Sequence, residues 1–135
     1  MYLWKKFTEL TITKALRMLG SMGYVTGAGG AVTQITNRST GVTINKLCGT
    51  ITTDNTSLAA EAAAEFTVTN DKVDVGDVVV TSIQSGTDGG NTDVFVSTVA
   101  KGSFKIKVSN NNVASGTAET GAILINFAII KAVSK

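Results

Sequence analysis

Histidine is absent from the 135 residues. With it go the commonest general base, the commonest side-chain metal ligand, and every Ser–His or Cys–His arrangement for nucleophilic catalysis. Proline is also missing, which is unusual in a chain so rich in loop-forming residues. The single cysteine, Cys48, excludes an intrachain disulfide, so packing and strand pairing, helped by association, must hold the fold. Set in Asn45–Gly49 beside Leu47, Cys48 reads as a small buried hydrophobe rather than a reactive thiol. Charge is scarce at 16% of residues, and a net charge of +2 is too small to steer a polyanion, so no nucleic-acid partner is expected. No apolar run approaches the roughly eighteen residues of a membrane span, and no leader-like apolar run follows Lys5 and Lys6. Neither a membrane partner nor a secretory leader is expected.

What is present points to a packed core. A hydrophobic content of 43% argues for a folded chain, and one domain of this length buries roughly two-thirds of the surface its unfolded form exposes. Thr, Ser, Asn and Gly crowd the chain from Gly27 onward, giving a low-charge surface of the kind that neighbouring subunits often cover. Residues 1–22 differ from the rest. They hold the only tryptophan and the basic residues Lys5, Lys6, Lys14 and Arg17, with Leu3, Trp4, Phe7, Leu10, Leu16 and Leu19 at spacings that mostly suit one helical face. Leu10–Thr13, however, alternates as a strand would. The expectation is an N-terminal arm, helical or extended, followed by a body over residues 23–135. Trp4, Phe7, Leu10 and Leu16 are the candidate partner-binding residues of that arm, the aromatics serving as anchors.

The glycines between Gly20 and Gly30 mark a bend where arm meets body. Beyond it, short alternating runs separated by turn-formers predict strands over Ala31–Thr36, Gly41–Leu47, Gly49–Thr53, Phe66–Asn70, Asp77–Ile83, Val94–Val99, Ser103–Asn110 and Ala122–Val133. The run Val78, Val79, Val80 predicts a strand covered on both faces. Asn37–Thr40 is a turn, while Ser85–Asn91 and Asn110–Asn112 are loops by composition. The Ala-rich Ser57–Glu65 is the exception, predicted to hold a helical turn capped at Asn55, Thr56 or Ser57. The fold class expected is all-β: an antiparallel β-sandwich or jelly-roll-like body with the N-terminal arm.

Candidate chemistry is thin. Glu61 and Glu65 lie in the Ala-rich stretch and the aspartates in turns, where bonding to the local backbone is their ordinary use, so paired-carboxylate catalysis has no credible site. Gly27–Gly30 lacks the Lys-Ser/Thr ending and following helix of a phosphate loop. The closely spaced oxygens of Asp88, Asn91 and Asp93 form a weak calcium candidate without the spacing or terminal Glu of an EF-hand; a plain hairpin loop is the preferred reading. No catalytic residue and no cofactor are expected.

Gly23–Gln34, Ser39–Thr52, Phe66–Asn70 and Ile123–Lys131 together resemble small virion structural proteins of tailed bacteriophages, the modules found as capsid decoration (cement) proteins and at fibre tips. The resemblance runs from Gly23 to the end and leaves residues 1–22 outside. It implies a β-sandwich that trimerises, a location in the virion after assembly in the host cytoplasm, and no catalytic residues. The short chain, lacking a fibre shaft, favours a decoration protein bridging copies of the major capsid protein. The alternative is a tail or head fibre or spike module that binds host-surface glycan through its loops.

Overall fold

The computed structural model describes residues 19–132. They form eight strands: β1 (Gly29–Thr33), β2 (Val42–Thr43), β3 (Cys48–Thr52), β4 (Ala63–Thr69), β5 (Val78–Ser85), β6 (Thr92–Ala100), β7 (Ser103–Asn110) and β8 (Leu124–Ile130). A first sheet has the order β1-β3-β8-β5, a second the order β2-β4-β7-β6, and the two pack face to face as a β-sandwich. Among the described residues there is no helix. The candidate arm residues Trp4, Phe7, Leu10 and Leu16 lie outside the described residues.

Period-two alternation builds the core. Ala64, Phe66 and Val68 of β4 and Phe104, Ile106 and Val108 of β7 point inward from the second sheet; Ile51 of β3 and Ile125, Phe127 and Ile129 of β8 meet them from the first. The rings of Phe104 and Phe127, one from each sheet, lie 5.5 Å apart at 47°, a tilted contact of the favoured kind. Alternate residues such as Lys105 and Asn126 then face outward by necessity.

The pairs β3–β8, β8–β5, β4–β7 and β7–β6 are antiparallel as expected. The pairs β1–β3 and β2–β4, at one edge of each sheet, are parallel, so both sheets are mixed. Parallel pairing arises because successive strands alternate between sheets: the chain crosses to the second sheet at β2 and returns at β3 running in the same direction as β1. Only β6 and β7 join by a two-residue hairpin, at Lys101–Gly102.

Three local expectations are corrected. Ser57–Glu65 holds no helical turn. Leu58 is buried and bridges to Glu119 through reciprocal backbone bonds of 2.9 Å, a turn follows at residues 59–62, and β4 begins at Ala63. Burial of Leu58, Ala64 and Phe66 outweighs the intrinsic helix propensity of the alanines, which tertiary context readily overrides. The valine run of β5 is covered on one face only: Val79 is buried, whereas Val78 and Val80 face out from an edge strand. Cys48 is half-buried, because Ile51 takes an inward position on β3 and period two then sends Cys48 to the outer face.

Gly86 has a φ of 90°, and a Cβ there would stand 2.1 Å from the carbonyl oxygen of Ala122; at Gly121 a Cβ would stand 1.9 Å from the oxygen of Gly86. The two loops touch backbone to backbone. Replacement Gly86→Ala is therefore expected to destabilise the protein by about 1–3 kcal/mol in urea titration. Gly23→Ala, with nothing within 4 Å of its Cβ, is expected to leave the midpoint unchanged.

Candidate functional site

The four strands of the first sheet contain no charged residue. Their outward positions form uncharged rows across the sheet: Ala31, Thr50, Asn126 and Ser82 in one, Cys48, Ala128 and Val80 in the next, then Ile130 paired with Val78. Thr50 donates its hydroxyl to Asn126 Oδ1 at 3.1 Å, satisfying polar groups within the row. The second sheet differs. Its strands carry Glu65, Asp93, Lys105 and Lys107, and Glu65 accepts bonds from Ser97 Oγ at 2.7 Å and Lys105 Nζ at 3.1 Å. Those bonds, Ser97 first and Lys105 second, hold the Glu65 carboxyl below its ordinary range.

At one end of the uncharged face lies a groove of about 400 Å3 lined by Met22, Gly23, Tyr24, Val80, Ala128, Ile130 and Lys131. The Gly-rich entry segment forms one wall. Tyr24 donates its hydroxyl to the backbone oxygen of Ile129, which fixes that segment to β8. Lys131, which lines the groove, pairs with Asp77, whose nearly buried side chain also accepts the amides of Asp74 at 2.8 Å and Ala132 at 2.9 Å. The Lys131 ammonium, followed by the Ala132 amide, pulls the Asp77 carboxyl down to about 2.

The opposite functional prospect, the loop cluster, is a closed hydrogen-bonded network. Arg38, 3% exposed, donates Nε to Thr56 O at 2.5 Å, Nη1 to Thr53 Oγ1 at 3.2 Å, and Nη2 to Glu119 O at 3.2 Å and Gly121 O at 2.8 Å. Burial pushes its pKa down, while the Glu119 charge opposes the shift. Glu119, fully buried, accepts the amides of Asp88 and Gly89 at 3.1 Å and Gly121 at 2.8 Å, and the hydroxyl of Thr92 at 2.5 Å. Gln34 completes the arrangement, donating to Arg38 O and Thr40 O and accepting the Asp54 amide.

The calcium candidates fall around this network and turn to different partners. Asp88 accepts Thr120 N at 2.7 Å, Gly121 N at 3.0 Å and Thr120 Oγ1 at 2.5 Å. The Thr120 hydroxyl, then Glu119, keep its carboxyl well below the usual carboxylate range. Asn91 donates to Asn111 O at 2.8 Å, and Asp93 accepts from Asn111 Nδ2 at 2.7 Å. Among the described residues no three His, Cys, Asp or Glu side chains gather as around a metal ion. Sequence reasoning missed Arg38 and Glu119. One available signal was that Arg38 is the only arginine after residue 17, every other cation of the body being lysine; a planar guanidinium suits a buried site better than an ammonium.

Two outcomes follow from these bonds. Glu119→Gln places an amide against donors and is expected to cost about 1–3 kcal/mol, with faster hydrogen exchange at the Asp88, Gly89 and Gly121 amides as the local readout. Asp77, lowered from 3.8 to about 2 on folding, contributes stability that is complete above pH ~4 and lost as pH falls toward ~2. Urea midpoints measured across that window should fall less steeply in Asp77→Asn than in the parent chain.

No protein-family model, curated protein or solved structure matches this chain.

Proposed function

We propose that the protein is a structural component of a tailed-bacteriophage virion, a capsid decoration protein that lies on the major capsid protein and bridges its subunits as a homotrimer. The observation that carries this reading is the contrast between the sheets. Desolvating charge is costly unless each charge is paired, so a face meant to lie flat on another protein is best built without any, and the first sheet is built that way along all four strands. The second sheet, with Glu65, Asp93, Lys105 and Lys107 on its strands, suits the solvent side. The resemblance of Gly23–Gln34, Ser39–Thr52, Phe66–Asn70 and Ile123–Lys131 to small phage virion proteins agrees with this use of the body. The missing histidine also favours binding over chemistry.

In this mechanism each copy spreads modest contacts over several coat subunits, so that the shell resists the outward pressure of packaged DNA. Trp4, Phe7, Leu10 and Leu16 add anchors that reach a neighbouring subunit. Counting copies per particle against the major coat protein, on whole virions and on tailless heads, tests the proposal. Copy numbers comparable to the coat protein, retained on heads, are expected. A few copies lost together with the tails would overturn it and make the protein a fibre or spike module contacting host glycan.

A further inference from the structure

Val78, Val80 and Ile130 are 54%, 48% and 55% exposed. Strand register makes them neighbours, with Val78 opposite Ile130 and Val80 opposite Ala128, so they form one continuous apolar strip leading into the groove bounded by Met22 and Tyr24. Contiguous apolar surface of this kind is seldom left open to water on a soluble protein.

We propose that in the free protein this groove is covered by residues 1–18 of the same chain, with Trp4 and Phe7 against Val80, Ala128 and Ile130. Three observations support that occupant. Residues 22–24 are themselves a wall of the groove, and Tyr24 is fixed to β8 through Ile129, so the preceding chain is delivered to the strip with only residues 19–21 between. The segment is long enough: at about 3.3 Å per residue, 18 residues reach up to about 60 Å when extended, farther than the strip requires. Its composition fits, since Leu3, Trp4, Phe7, Leu10, Ile12 and Leu16 match an apolar floor, the strands beneath carry no charge, and Lys131 on the groove's lining is paired with Asp77 rather than left to oppose Lys5, Lys6, Lys14 or Arg17. A second copy's segment could satisfy the composition equally. The tether decides between them, because a short linker gives an effective concentration on the order of millimolar, above that of free chains in dilute solution. The covered strip keeps free copies apart, and docking on a larger partner exchanges one apolar contact for another.

Trp4 is the only tryptophan, so its fluorescence reads the proposal directly in the full chain. Emission is expected to be blue-shifted and several-fold less quenched by acrylamide than in the urea-unfolded chain, with no change on serial dilution. Val80→Lys and Ile130→Lys alter outward positions and should move Trp4 emission toward the solvent value while circular dichroism of the sandwich persists; Val80→Thr, which keeps a strand-forming residue, should give a smaller shift in the same direction. Solvent-like emission from the parent chain would overturn the proposal, as would shielding that all three replacements leave intact. Shielding lost on dilution would assign the groove to a second copy and overturn it equally. Because each readout is taken on the free protein, failure here leaves the virion reading standing, and failure of that reading leaves this one.

Discussion

A carboxylate removed from water is among the most expensive groups a small domain can bury, and Glu119 is buried completely. What makes it tolerable is the supply of donors: backbone amides from Asp88, Gly89 and Gly121 and the hydroxyl of Thr92 converge on its two oxygens. The donors come from the 86–92 loop and the approach to β8, while the backbone of Glu119 pairs with Leu58 and its oxygen accepts from Arg38. One residue therefore ties together the β1–β2, β3–β4 and β5–β6 connections. Arg38 works as the complement, spending its guanidinium on carbonyl and hydroxyl oxygens of two segments, residues 53–56 and 119–121. With this end cross-linked by directional bonds, the loops are committed to holding the sandwich, and the surface left for recognition lies on the sheets.

The two sheets share one core and present opposite exteriors. Phe104 and Phe127 join the layers through their tilted rings, and the inward rows are interchangeable in character. Outward, the first sheet offers hydroxyls, amides and methyl groups, the second offers paired charge. That division is a surface property imposed on a symmetric core, since period two leaves the outward residue at each position free to vary without disturbing packing.

Much of this architecture was legible in the sequence, for a physical reason: alternation is strongest where one face is buried and the other wet. Ser103–Asn110, with Phe104, Ile106 and Val108 against Lys105 and Lys107, was predicted with the bounds that β7 has. Asn37–Thr40 was readable as a turn because Asn37 Oδ1 accepts the Ser39 amide, a local bond that depends on no distant residue. Where the reading failed, a distant partner decided. Glu119 draws Leu58 into a bridge and pre-empts the helical turn suggested by the alanines. Three consecutive valines look the same in a doubly covered strand as in an edge strand beside an apolar groove, so Val78 and Val80 were misplaced while Val79 was not. Arg38 in Asn37–Thr40 resembles a solvated loop cation until the carbonyls around it are assembled. The calcium candidates Asp88, Asn91 and Asp93 are close in sequence, but Asp88 accepts from residues 120 and 121, Asp93 accepts from Asn111, and Asn91 donates to the Asn111 carbonyl.

The order of β8 within the first sheet has a kinetic consequence. It lies between β3 and β5 yet is the last of the described strands in sequence, and Tyr24 reaches across 105 positions to bond to it. The second sheet can nucleate around the local β6–β7 hairpin; the first cannot close until its centre, the most distant strand in sequence, is added. Until then β3 and β5 both wait as open edges, the condition in which nascent chains stick to one another. Slow docking of β8 would lengthen that exposure, and the yield of soluble protein on refolding should depend on how quickly that strand is added.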